Sequence, residues 1–157
     1  MTTHAPALSA HPLHPHAAAA PETLAGWLAD GLPVVLAFFK TSCPTCQLAF
    51  PFLQRIADRG GVRVVGISQD DAAVTARFAE KFGVRFWIGM DREADGYPAS
   101  NAYGITHVPA IFAIEPDGRI AQQWSGFHKA EMEALAERAG GGTLFGPGDA
   151  VPEWKAG

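Results

Sequence analysis

Three observations predict an α/β sandwich built on a mixed sheet. Short apolar runs alternate with segments of helical periodicity, glycines punctuate most of the junctions, and the last two apolar runs are joined by a tight-turn sequence instead of a helix. The chain has 157 residues, of which 48% are apolar and 18% charged, which suits one domain with a core large enough to fold without disulfide staples or metals. Its longest apolar run, Val34 to Phe39, is far shorter than the roughly 20 residues that span a bilayer. Twelve Lys and Arg against sixteen Asp and Glu give a formal charge of -4, and the basic residues are scattered along the chain. That pattern predicts no nucleic-acid partner.

The elements follow in order. Residues 1–20 are rich in Ala, Pro and His and hold neither Lys nor Arg, so they read as a flexible lead segment and not as a secretory signal. His4, His11, His14 and His16 admit a metal tract, but composition favours the plain lead segment. Glu22 to Asp30 places Leu24, Trp27 and Leu28 at helical spacing, with Gly31 as the stop. Val34 to Phe39 is a buried strand. Pro44 to Arg59 is a helix with Leu48, Phe52, Leu53 and Ile56 on one face, kinked at Pro51 and ended by Gly60-Gly61. Val62 to Ser68 is a second buried strand. Asp71 to Phe82 is an amphipathic helix that turns Val74, Phe78 and Phe82 inward.

Phe86 to Met90 is a short third strand, followed by a helix from Ala94 to Tyr103. Ala110 to Ile114 and Ile120 to Trp124 form a hairpin across Glu115-Pro116-Asp117-Gly118, where glycine supplies the turn geometry. Lys129 to Ala139 is the last helix, broken by three glycines. The domain therefore runs over residues 21–139. Residues 140–157 form a Gly/Pro-rich tail that either folds back or hangs free.

The two cysteines of the chain stand in Cys43-Pro44-Thr45-Cys46. A bridge across two residues constrains little of the unfolded chain and is better suited to opening and closing than to structural stapling. A zinc site needs a second pair of ligands, and His107 and His128 are too far apart in sequence to supply one. Redox catalysis remains, with no metal and no cofactor called for. The preceding strand delivers the pair to a helix start, where unsatisfied N–H groups favour a thiolate. Cys43, first and more exposed, is expected to be the nucleophile. Cys46, one turn in, is expected to resolve the mixed disulfide. Pro44 suits the first helical turn.

These residues resemble the thioredoxin superfamily, and within it the TlpA-like or ResA-like thiol-disulfide reductases of the redoxin type. The match runs from Pro33 to about Phe127. It rests on Phe38-Phe39 before the dithiol, Pro51 five residues after Cys46, the strand Val64 to Ser68, and Asp91. Tyr103-Gly104-Ile105, Val108-Pro109 and Asp117-Gly118-Arg119-Ile120 complete it. The resemblance implies a thioredoxin-like three-layer α/β/α sandwich with a C-terminal hairpin and a central inserted helix. It also implies that Val108-Pro109 is a cis peptide facing the dithiol, and that Pro44, Thr45, Val108 and Pro109 contact an extended substrate.

Departures from that family are equally specific. Ala37 stands where thioredoxins carry a buried aspartate, Ala49 where ResA-like proteins carry a glutamate, and Ser42 where a tryptophan is usual. Proton transfer to Cys46 would fall to water, Lys40 or another group; His107 is expected to be a surface loop residue. The implied activity is exchange with a protein disulfide or dithiol, supported by an upstream electron donor, in a monomer. With no signal sequence the default compartment is the cytoplasm, although a different start would open an extracytoplasmic one. Two other functions compete. A peroxiredoxin-like thiol peroxidase would place Thr or Ser three residues before the reactive cysteine, where Lys40 precedes Cys43. A copper-handling module would need a nearby histidine beside the thiolates.

Overall fold

The computed structural model describes residues 3–13 and 22–157. Its elements follow one another as β1 (Ser9–Pro12), β2 (Glu22–Thr23), α1 (Leu24–Leu28), β3 (Val34–Phe39), α2 (Pro44–Ala57), β4 (Arg63–Ser68) and α3 (Ala72–Phe82). After these come β5 (Trp87–Met90), a 3-10 turn (Glu93–Asp95), α4 (Pro98–Ala102), β6 (Ala110–Ile114), β7 (Ile120–Ser125), β8 (Phe127–His128), α5 (Lys129–Gly140) and β9 (Trp154–Lys155). Seven strands form one mixed sheet in the order β2-β1-β5-β4-β3-β6-β7, and β8 pairs separately with β9. β3, β4 and β5 are parallel because helices join them, while β6 and β7 run antiparallel across their tight turn.

β3 lies in the middle of the sheet, and all six of its side chains are fully buried, as a run without polar alternation requires. Its odd-numbered residues Val35, Ala37 and Phe39 face a core made with α2, α3 and α5, where Phe50, Leu53, Phe78 and Leu135 pack. Its even-numbered residues Val34, Leu36 and Phe38 face a second core with Leu24 and Trp27 of α1 and Ala99 of α4. This is a three-layer α/β/α sandwich, with helices on both faces of the sheet.

Several boundaries differ from the sequence reading. The expected lead segment is not uniform: Ser9–Pro12 forms β1, which pairs antiparallel with β5, and Leu8, Ala10 and Leu13 are buried. The local sequence concealed this because a four-residue strand ending in proline has too little pattern to read. Upstream, Thr3 accepts from the Ile120 amide and Ala5 donates to Gly118, both at 2.8 Å. Residues 3–13 therefore reach from the β6–β7 turn to the opposite side of the sheet at β5. The rest of the lead, including His14 and His16, lies outside the described residues. His4 bridges to Arg119 and His11 approaches Asp95 at 3.7 Å, and among the described residues no three metal-binding side chains gather.

The expected helix from Ala94 to Tyr103 is two pieces, because Gly96 and Tyr97 both adopt positive φ before Pro98 opens α4. The first helix begins at Leu24 and not at Glu22, since Thr23 is its cap and accepts from the Gly26 amide at 3.1 Å. The tail folds back. Phe145 packs on Phe52, and Asp149 pairs with Arg55 at 2.8 Å. Trp154–Lys155 is β9, antiparallel to β8. No helix among the described residues is long and apolar enough to cross a membrane.

Candidate active site

β3 ends at Phe39, and four residues later Cys43 is the N-cap of α2. Its sulfur accepts the Cys46 amide at 3.2 Å, one of the donors that a helix start leaves unsatisfied. Pro44 occupies the first helical position, where a missing N–H costs nothing. Both sulfurs are free thiols; Cys43 is half-buried and Cys46 fully buried. The two side chains lie at the same helix start, which is the arrangement the spacing predicts.

Burial is the main reason that the Cys46 thiol is pushed far above its ordinary value, with its contact to Cys43 adding to the effect. The Lys40 backbone opposes this, while the charges of Cys43 and Asp70 reinforce it. In the reduced protein Cys46 is thus held as a neutral thiol behind a more accessible Cys43. That difference in environment gives the two sulfurs different chemistry.

The segment before β6 closes the site. Val108-Pro109 is a cis peptide bond, as the resemblance implies. The Val108 carbonyl accepts from the Cys43 thiol at 3.4 Å, and the Pro109 carbonyl is tied to the Gly126 amide at 2.8 Å. Thr45, in the spacer of the dithiol, is 2% exposed, and its hydroxyl donates to the Ala156 carbonyl at 2.6 Å. Pro44, Thr45, Val108 and Pro109 are therefore gathered around Cys43. His107 is exposed and shares a contact with Thr106 at 3.1 Å.

Ala37 and Ala49, which replace the two relay acids, are both buried in apolar surroundings. The acid whose charge reaches Cys46 is Asp70, which follows β4 and accepts from the Thr41 amide at 2.6 Å. Sequence reasoning missed it, although acids just past the carboxyl end of a parallel strand stand where sites collect. It also missed Ala156 and Gly157, for which the local sequence holds no signal.

Fold and site together define a thioredoxin-like domain with a dithiol at the start of its second helix. The chain belongs to the AhpC/TSA family, whose model matches residues 3–123. It is 25% identical over 106 residues to the thiol-disulfide oxidoreductase ResA of Bacillus thuringiensis (strain Al Hakam), an alignment that covers 65% of this chain and 60% of that protein. It is 30% identical over 94 residues to the ResA protein of Geobacillus thermodenitrificans (strain NG80-2), covering 57% of this chain and 52% of the relative. The chain thus aligns with between about half and three fifths of the length of these relatives. Its fold matches the crystal structure of a thiol:disulfide interchange protein, thioredoxin family protein, from Chlorobium tepidum TLS. That match has a TM-score of 0.70 at 20% identity, with 88% of this chain and 97% of the other covered.

Proposed function

We propose that this protein is a thiol-disulfide oxidoreductase acting on protein disulfides, with Cys43 as nucleophile and Cys46 as resolving thiol. The observation that supports this most directly is the unequal pair at one helix start. Cys43 is half-buried and receives an N–H bond, while Cys46 is buried and held neutral. The kinship with proteins named thiol-disulfide oxidoreductase points the same way.

In the reductive direction the Cys43 thiolate attacks one sulfur of a substrate disulfide, forming a new S–S bond as the substrate bond breaks. The departing substrate sulfur leaves as a thiolate and takes a proton from water. Cys46 then gives up its proton and attacks the Cys43 sulfur, which closes the enzyme disulfide and expels the second substrate sulfur. The substrate gains two electrons from the enzyme dithiol and takes up two protons through water, which balance the two that Cys43 and Cys46 release, and an upstream dithiol donor restores the pair. Pro44, Thr45, Val108 and Pro109 flank the attacked bond, and Asp70, through its charge, bears on the proton that Cys46 must lose. The protein works as a monomer in this reading, which size-exclusion chromatography checks.

Trapping tests the order of roles. Cys46→Ser should accumulate covalent adducts with protein substrates, and Cys43→Ser should not; the reverse result overturns the assignment. Equilibration with glutathione buffers fixes the direction. A potential near the thioredoxin end of the range, about -270 mV, makes the protein a donor, and one near -120 mV makes it an acceptor. Rapid consumption of peroxide by the purified protein, without protein disulfide exchange, would favour the peroxidase alternative.

A further inference from the structure

Residues 153–157 run beside the dithiol, against Thr45 and the Val108 carbonyl. β9 pairs with β8 in the register Phe127↔Lys155 and His128↔Trp154, and the Lys129 amide donates to the Glu153 carbonyl at 3.0 Å. Past β9 the chain crosses Thr45, whose hydroxyl donates to Ala156. It then passes so close to the cis peptide that a Cβ built on Gly157 would overlap the Val108 carbonyl. That carbonyl is the one bonded to Cys43. Gly126 allows the approach from the other side: its φ is +83°, and a Cβ there would come within 2.5 Å of the Lys155 oxygen.

We propose that residues 153–157 form an intramolecular strap that occupies the strip beside Cys43 in the manner of an extended substrate, and that a protein disulfide must displace it to react. The segment passes Thr45 and the Val108 carbonyl and is held upstream by main-chain pairing of β9 with β8, the way a strand adds to an exposed edge. It is also loosely held. Residues 152–157 are all exposed, and Trp154 keeps 57% of its surface in water, so little apolar area opposes release. The strip takes an extended polypeptide with a glycine or similarly small residue against Val108. This inference rests on the proposed oxidoreductase activity only for its second readout.

The test compares the full chain with one ending at Pro152, both reduced and both checked by circular dichroism. Alkylation of Cys43 by iodoacetamide should be several-fold faster in the shortened chain. Its rate of insulin disulfide reduction, driven by dithiothreitol, should also rise several-fold. A synthetic peptide Pro-Glu-Trp-Lys-Ala-Gly added to the shortened chain should reverse both effects. Equal alkylation rates in the two chains overturn the strap. Faster alkylation without insulin reduction in either chain keeps the cover over Cys43 and overturns the oxidoreductase reading instead. If the shortened chain is unfolded, Gly157→Val, whose Cβ would overlap the Val108 carbonyl and so lift the segment from the strip, gives the same comparison, and an unchanged alkylation rate there overturns the proposal.

Discussion

Strand β3 and the segment Trp154–Gly157 both border the dithiol, and they do so with opposite mechanics. β3 is hydrogen-bonded to a strand on each side and fully buried. The segment lies on the surface and is held mainly by main-chain contacts and one threonine hydroxyl. The frame that places Cys43 and Cys46 is therefore far stiffer than what covers them. A dithiol needs that difference, because its sulfurs must stay within bonding reach of each other while partners come and go.

The largest effect should come from the frame. Phe50 of α2 is fully buried among Phe39, Phe78 and Phe86, with ring centroids 4.4 Å, 5.5 Å and 5.7 Å away. Phe50→Ala should cost about 3–5 kcal/mol in urea unfolding of the reduced protein. A cost under 1 kcal/mol would show that the frame is looser than described.

Next comes the polar tie that holds α2 to the approach to β5. The Gln54 side-chain carbonyl accepts from the Arg85 and Phe86 amides at 2.6 Å and 2.9 Å, and its amide donates to Asp58 at 2.9 Å. Gln54→Leu strands those two backbone donors, and should cost about 1–3 kcal/mol in the same measurement. The pH dependence sharpens the contrast between the two sulfurs. Burial raises the Cys46 thiol above its ordinary value of 9.0, so the unfolded chain loses this proton where the folded one keeps it. The stability tied to Cys46 is fully present below pH 9 and is lost as pH rises beyond it, at up to about 1.4 kcal/mol per pH unit. Reduced wild-type protein should therefore weaken between pH 8 and 10.5 more steeply than Cys46→Ala.

The smallest stability effect belongs to the cover. Trp154→Ala should change unfolding by no more than about 0.5 kcal/mol, even though the strap it helps to hold governs access to Cys43. A change of several kcal/mol would make the segment part of the frame and erase the contrast.

The same contrast explains what could be read from the chain. Val34–Phe39 and the dithiol were legible because an unbroken apolar run and a two-residue spacer are local patterns. The parallel strands, α2, α3 and the β6–β7 turn followed for the same reason. Thr45 meets Ala156 across 111 positions, and no periodicity records such a meeting. β8 and β9 have two residues each, too few to show alternation. Asp70 carries no local signal, because its bearing on Cys46 depends on where β4 places it next to β3. Sequence also suggested a single helix where the left-handed backbone at Gly96 and Tyr97 divides two, a break that Pro98 announced only in part.

The path of residues 3–13 has a practical consequence for anyone cutting this gene. An expression boundary drawn at residue 21, where helical periodicity first appears, would remove Leu8 and Ala10 from the apolar layer they share with Leu36, Phe38 and Ile67. It would also bare the outer rim of β5, because β1 is what lies alongside it. A protein trimmed in this way would present an open β edge next to an oily patch, the combination that drives precipitation. A clone retaining the opening dozen codons would avoid it.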